Sequence, residues 1–425
     1  MPVSMPPVVI VRRPRGSDLE WDTSPSWFGG RPRLGDIPWP RTPAGVPFVF
    51  YAQIDLAELA SVMDEPSFRR DGSLAFFIPW SAEDGLVDTH AVIHVPSDAS
   101  GTVAPPDGAP GVLGWMGDDF YPSYQRPEFS RSFPRWPVKL ERITTDRDGW
   151  EAVIRERYGK SEYAFSASTV QRLLGNKVLP HWWREAQVYA AALADVPTDP
   201  WNQRARHAKS IRYAEQQLSN AQGKGLSVTL GRMFGRAVSE DVSKATAALE
   251  RELDRASIFE KQLRQVSSVS HDITVRAKSH APHAQMDQDN ILRLIAEQMY
   301  VREKLDSACG SLVPRYPGEL TIDTIIAFAT GEDEAYRSIP EVVRQFIDEK
   351  HLLPQGPLHQ MFGEGDSIQT IASCENADHV MLLQLAYDDM MRWRFGDVGA
   401  YQFWIRPEDL GDGRWDRMRL TFESH

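Results

Sequence analysis

His359 is the residue best placed for acid–base chemistry in this chain of 425 residues. It follows Gly356-Pro357, at an element boundary, and Glu364 and Asp397 supply carboxylates further on. An imidazole beside a carboxylate can take and return a proton near neutral pH. Paired with Asp397, His359 defines a hydrolase reading. The competing role is local, since an imidazole at a turn orders it by bonding backbone groups. His271, His280 and His283 form a second set. Imidazoles bind divalent metals, but His280 and His283 flank a proline in a predicted loop, and no carboxylate stands at a ligand spacing. They read as a solvated loop, and no cofactor is expected.

A third set is aromatic. Trp27, Phe28, Trp39 and Trp404 are the side chains with which a ligand cleft would be walled. Gly29 and Gly30 give the loop beside them access to positive φ. Gln53 and Gln384 would add strand amides. The alternative is core packing, where large aromatics usually go. Arg12, Arg13, Arg15, Arg31, Arg33 and Arg41 make the N-terminal region locally basic, suited to an acidic ligand or to a solvated face. No phosphate-binding glycine loop, His-Glu-x-x-His, nucleophile-elbow serine or Cys-x-x-Cys occurs.

The elements that must position these residues fall into three blocks. Apolar runs of strand length occur at 8–11, 48–54, 74–78, 91–95 and 138–143, among loops rich in proline and glycine. From 166 the pattern becomes helical. Helices are predicted at 182–193 and at 199–220, the latter broken by Gly223 and Gly225. A third carries Leu249, Leu253, Ala256, Phe259, Leu263, Val266, Val269 and Ile273 at steps near the coiled-coil period. A fourth, 288–308, carries Ile291, Leu292, Ile295, Met299 and Leu305. The last two are read as a helical hairpin. Shorter helices follow at 322–329 and 340–350. Strands return at 380–385 and 400–405, and the clean alternation of 416–422 predicts a final one.

The two ends repeat each other. Phe28-Gly29, Phe50-Tyr51-Ala52-Gln53-Ile54 and Leu74-Ala75-Phe76-Phe77-Ile78 match Phe362-Gly363, Met381-Leu382-Leu383-Gln384-Leu385 and Tyr401-Gln402-Phe403-Trp404-Ile405. Glycine-to-glutamine spacings are 24 and 21, and glutamine-to-isoleucine spacings 25 and 21. A buried strand glutamine needs hydrogen-bond partners, so two at matching places predict a pseudo-twofold core.

Several of these stretches resemble a known family. Phe28-Gly29-Gly30 with Pro32, Trp39-Pro40, Ala52-Gln53-Ile54-Asp55-Leu56, and Phe395-Gly396-Asp397 with Gly399 and Phe403-Trp404-Ile405 are similar to the YwqG-like family, a bacterial family of unknown function. Leu358-His359-Gln360-Met361-Phe362-Gly363 and Ile368-Gln369 resemble its C-terminal motif. The resemblance covers residues 24–80 and 356–424. It implies a β-rich duplicated fold with no assigned activity, and it leaves the helical middle outside.

The totals bound the function. A net charge of −12 speaks against general nucleic-acid binding, which needs a basic face. Two cysteines, Cys309 and Cys374, fit a reducing compartment, and no apolar run is long enough to span a bilayer. The expected fold is α+β: a β-rich domain of residues 1–165 and 351–425, with a helical insertion at 166–350. The expected function is that of a cytoplasmic, non-catalytic binding protein of regulatory or immunity type. It would take a protein partner through the insertion or a small ligand in the β-rich domain. The alternative is the hydrolase built on His359 and Asp397.

Overall fold

The computed structural model describes residues 5–15, 21–64, 69–79, 92–110, 112, 131–143, 150–159, 164–198, 202–227, 235–309, 317–366, 368–369 and 371–425. Among them, ten strands form one curled antiparallel sheet. They are β1 (Val8–Arg12), β2 (Trp27–Phe28), β3 (Val49–Asp55), β4 (Ser73–Ile78), β5 (Val92–Val95), β6 (Trp136–Arg142), β7 (Gln360–Met361), β8 (Val380–Ala386), β9 (Ala400–Ile405) and β10 (Arg419–Glu423). Their spatial order is β10-β9-β8-β7-β1-β6-β2-β3-β4-β5. β4 and β8 are buried at every residue, and β3 at all but its last. Both faces of these strands are covered, so they read as continuous apolar runs rather than alternating ones.

The order is a palindrome about the β1–β6 contact. Each half is a five-strand set, and a pseudo-twofold axis relates them. Val8 faces Met361 as Trp136 faces Phe28. Val11 and Lys139, which are cross-strand partners, exchange places across the axis. β3 is bulged at Tyr51 and β8 at Leu382, the same place in each copy. Gln53 faces Ala75 where Gln384 faces Gln402. The twofold mates Phe76 and Phe403 meet edge to face at 5.2 Å.

The predicted pairing of the long strands therefore holds residue for residue. The short strands need a correction of one position, because Phe28 corresponds to Met361, Gly29 to Phe362, and Gly30 to Gly363. Both turns use two successive left-handed residues, at φ 58° and 66° in one copy and 58° and 69° in the other. A Cβ on Gly29 would lie 2.2 Å from the Pro134 carbonyl oxygen. Only glycine serves there, while its counterpart is phenylalanine.

The predicted final strand starts late. Trp415–Arg417 form a 3₁₀ turn, and pairing begins at Arg419.

Two compact units divide the chain. The first holds residues 1–182, 282–285 and 318–425. Besides the sheet it contains α1 (Leu56–Met63), α2 (Trp150–Tyr158) and α3 (Ala167–Leu173). Val170, Ile325, Ile326, Val343 and Ile347 are buried in its main core. The helices around 322–350 thus pack on the sheet.

The second unit, residues 183–281 and 286–317, contains α4 (Trp183–Asp195), α5 (Gln203–Ser227), α6 (Gly235–Ala277), α7 (Gln288–Lys304) and α8 (Asp306–Cys309). α6 is 43 residues long. Its inner seam is Val242, Ala245, Leu249, Glu252, Ala256, Phe259, Leu263, Val266, Ser270, Ile273 and Ala277, at alternating steps of three and four. α5 packs along it with Ile211, Ala214 and Leu218.

Four expectations about this block change. α6 packs extensively on α5 and α4 and only slightly on α7, and Gly223 and Gly225 lie inside α5 rather than ending it. Isolated helical glycines cost only about 1 kcal/mol each, which a long seam absorbs. Leu253 lies off the seam and is 48% exposed. On α7 the buried residues are Leu294, Gln298 and Val301, whereas Leu292 and Met299 are 57% and 45% exposed.

Candidate functional site

The densest set of ionisable groups lies inside the curled sheet. Arg12 is the last residue of β1. Strand alternation turns it to the same face as Val8 and Ile10, into the core. His359 immediately precedes β7, and its carbonyl accepts the Ile10 N–H at 2.9 Å. Asp388 lies just beyond β8, where it exchanges two backbone hydrogen bonds with Trp393 to close a short hairpin. Arg12, His359 and Asp388 are each no more than 1% exposed.

Asp388 is the hub. Its Oδ2 accepts from Arg12 and from His359 Nε2, the latter at 2.9 Å. Its Oδ1 accepts the N–H groups of Met390 and Met391 at 2.9 and 3.1 Å. A carboxylate with four donors can stay ionised in an apolar interior. Burial works against its charge, but Arg12, His359 and the backbone donors prevail and hold it well below the usual carboxylate range. Arg12 also donates to the His351 carbonyl at 2.6 Å. Asp389 accepts from His351 at 2.9 Å and from the Phe165 N–H.

The protonation of His359 follows from its neighbours. Its Nδ1 accepts the Ala386 N–H at 3.0 Å, so that nitrogen carries no proton. Nε2 carries the proton and donates to Asp388. The ring is therefore neutral, and burial accordingly depresses its pKa. Phe28 and Trp393 enclose it edge-on, at centroid distances of 4.9 and 5.3 Å. Both nitrogens are engaged, and the ring has no surface.

The hydrolase pair is thereby corrected. Asp397 and Glu364 are exposed, and the carboxylate partner of buried His359 is Asp388. His271 is exposed on α6. His280 lies flat on Trp183 at 3.8 Å, and His283 pairs with Glu334 at 3.2 Å. Among the described residues no group of three His, Cys, Asp or Glu could hold a metal.

The ligand-cleft set divides between the two copies. Trp27, Phe28, Gly29, Gly30 and Gln53 lie together on β2, its turn and β3. Gln384 and Trp404 lie in the other half. Trp27, Phe28, Gln53, Gln384 and Trp404 are at most 5% exposed. Gln53 grips the loop after its turn by accepting the Arg33 N–H at 2.9 Å and donating to the Arg33 carbonyl at 3.3 Å, and it also donates to Ser73 Oγ of β4 at 2.7 Å. Gln384 does the same by accepting the Asp366 N–H at 2.9 Å and donating to the Asp366 carboxylate at 2.6 Å, and it also donates to the Leu358 carbonyl ahead of β7. Half-buried Trp39 donates to the Phe48 carbonyl at 2.8 Å and packs on Phe77.

Most of the basic residues are also engaged within the fold. Arg13 pairs with Glu58 at 3.6 Å, and Arg15 with Asp333 at 3.1 Å. Arg33 and Arg135 both lie against the Trp27 ring, at 4.8 and 5.0 Å. Arg41 donates to the Gly45 carbonyl, and Arg31 is exposed.

Sequence reasoning missed Asp388, Asp389, His351 and Trp393. The available signal was Asp388-Asp389 set between Leu385-Ala386-Tyr387 and Met390-Met391, an acidic pair within an apolar run.

Among curated proteins none matches this chain. A family model described as a domain of unknown function, DUF1963, matches residues 26–178 and 194–423. The match runs through the helices that the resemblance had left outside. With most of its length covered, the chain belongs to the DUF1963 family, the family that includes the YwqG-like proteins.

Proposed function

We propose that this chain is a non-catalytic binding protein in which the duplicated sheet is the frame and the helical unit carries recognition. The observation that supports it is the state of His359. The best-placed imidazole is neutral, enclosed, and bonded at both nitrogens, so it has no lone pair to offer a substrate. The buried thiol of Cys309 is pushed up to about 12 by burial and is a poor nucleophile. The helical unit has the character of a recognition surface. Its long α6 buries one seam and exposes a mixed surface of charged residues with Leu253, Ile258 and Val275 among them. A regulatory or immunity-type role in the cytoplasm belongs to the same reading, since an acidic chain suits basic partners.

The test is affinity capture with the intact chain, read by native mass spectrometry, beside a turnover screen over ester, amide and phosphoester substrates. A partner lost when exposed residues of the helical unit are substituted supports the reading. Turnover that disappears in a folded His359→Gln variant overturns it.

A further inference from the structure

α7 carries two apolar faces, and the fold uses one. Leu294, Gln298 and Val301 turn inward and are buried. On another face Leu292 and Met299, one heptad apart, are 57% and 45% exposed, with exposed Ala296 between them. At i, i+4 and i+7 these three make a continuous strip on one side of a helix. Tyr300, 39% exposed, borders the strip on one side, and half-buried Ile295 borders it on the other. A carboxylate closes each end of the same face. Asp289 stands one turn before Leu292, and Glu303 one turn after Met299, both exposed. Asp289, Ala296 and Glu303 share one heptad line, so the two carboxylates lie about 21 Å apart along the axis. Arg293, beside Tyr300, is already paired with Glu297 at 3.3 Å, and Arg302 lies beyond Ile295. The helix is capped by Asp287, which accepts the Asn290 N–H at 2.8 Å, so it is a fixed element.

From this strip we infer that α7 is the docking face of the helical unit and that its occupant is an amphipathic helix of another protein, apolar in the middle and cationic at both ends. This deepens the binding reading and rests on it. A helix laid along α7 would cover Leu292, Ala296 and Met299 with its own i, i+3, i+7 residues. The small Ala296 lets the two axes approach. Lysines or arginines two heptads apart on the incoming helix would meet Asp289 and Glu303. A second copy of this chain is the poorer occupant. An antiparallel twofold pairing of α7 with itself, centred on Ala296, would set Asp289 of each copy against Glu303 of the other. Like charges would then meet at both ends, and such pairs repel. The net charge of −12 acts in the same direction at long range.

The test uses the full chain and a labelled Leu/Lys amphipathic peptide of about 18 residues, long enough to span the strip. A Leu/Glu peptide of the same pattern is the control. Fluorescence anisotropy should show the Leu/Lys peptide binding and the Leu/Glu peptide failing to bind; no binding by either would overturn the inference. Asp289→Lys/Glu303→Lys should weaken binding at least about tenfold, and Leu292→Ser/Met299→Ser by a similar factor. Glu250→Lys/Asp254→Lys on α6, an equal change of charge, should alter it no more than about twofold. Equal losses from both double reversals would mean bulk charge attraction and would overturn the inference. So would a dimer in native mass spectrometry that Leu292→Ser/Met299→Ser dissociates. A natural partner that survives the α7 substitutions would remove the α7 inference and leave the binding reading standing.

Discussion

Ser26, Glu58 and Arg13 in one half of the sheet form a smaller version of His359, Asp388 and Arg12 in the other. Ser26 and His359 are twofold mates, each preceding the short strand. Each accepts the N–H at the exit of the neighbouring long strand, from Asp55 to Ser26 Oγ and from Ala386 to His359 Nδ1, both at 3.0 Å. Each then donates to a carboxylate just beyond that strand, Ser26 to Glu58 at 2.6 Å and His359 to Asp388 at 2.9 Å. Each carboxylate meets an arginine from the end of β1. What differs is water. Arg13 and Glu58 keep 25% and 16% of their side-chain surface, while Arg12 and Asp388 keep none. After β3 the chain turns into α1, capped by Asp55, whereas after β8 it makes the tight Asp388–Trp393 hairpin and carries its carboxylate inward. Duplication preserved a backbone clamp, and one copy sank an ion network into the core around it. The imidazole, read as chemistry, occupies the place of a serine.

The largest effect expected from breaking this comparison is at Asp388. Asp388→Ala leaves Arg12 charged and unpaired in the core and should cost about 3–5 kcal/mol in urea unfolding. The position equivalent to Arg12 in the other half is Leu140. Arg12→Leu combined with Asp388→Asn should therefore be less damaging than Asp388→Ala alone. Additive losses would show that the ions do not act as one unit.

Next come the two glutamines, which the twofold axis makes equivalent. Gln53→Leu strips the Arg33 N–H of its acceptor, and Gln384→Leu strips that of Asp366. Each should cost about 1–3 kcal/mol, the price of a buried unpaired group. Comparable losses would confirm a shared role in holding the two loops. A loss confined to Gln384 would instead trace the effect to the Gln402 amide, which also donates to it.

This clamp also marks the limit of what the sequence discloses. The long strands were legible because Ala52-Gln53-Ile54 and Leu383-Gln384-Leu385 set the same buried amide in the same apolar run. The short strands match one position out of register by sequence, because Phe28-Gly29 and Phe362-Gly363 look alike while the turn conformation falls on Gly29-Gly30 and Phe362-Gly363. On α7 the stripe of Leu292, Ile295 and Met299 has helical spacing, but periodicity does not say which of two apolar faces the core takes. Sequence order offers His359 the carboxylate of Asp397, whereas the fold gives it that of Asp388. Asp388 reaches it through a hairpin closed by backbone bonds, which no spacing rule encodes.

His359 should also leave a pH signature. Its pKa is lowered in the fold, first by burial. Below about pH 6.5, the ordinary histidine value, the unfolded chain takes up a proton that the folded chain refuses. The stabilisation is present above that pH and is lost as pH falls toward the depressed value. Wild-type stability should thus decline between about pH 7 and pH 5 by an amount that His359→Gln removes. The variant keeps a donor and an acceptor, so its profile in that window should be flatter even if its stability at pH 7 is lower. An unchanged slope would mean that His359 titrates normally in the fold.

The smallest effect is expected in the half that kept its water, and it has the opposite sign. Burial raises the pKa of Glu58 above the ordinary value, against the hydrogen bond from Ser26 and the charge of Arg13. An acid with a raised pKa stabilises the fold most when protonated, and that contribution is lost as pH rises through its folded value. At neutral pH its charge is therefore a mild burden. Glu58→Gln keeps an acceptor for Ser26 and should raise stability at pH 7 by under about 1 kcal/mol, an advantage that shrinks at acid pH. Asp388 behaves the other way. Its pKa is lowered, so its contribution is complete at neutral pH and is eroded only on strong acidification. Melting Glu58→Gln and Asp388→Asn across the same pH series therefore compares the two copies directly. Curves that diverge from wild type in opposite directions at pH 7 are expected. Curves that move together would mean that both carboxylates work as ion-pair partners and that burial does not separate the two halves.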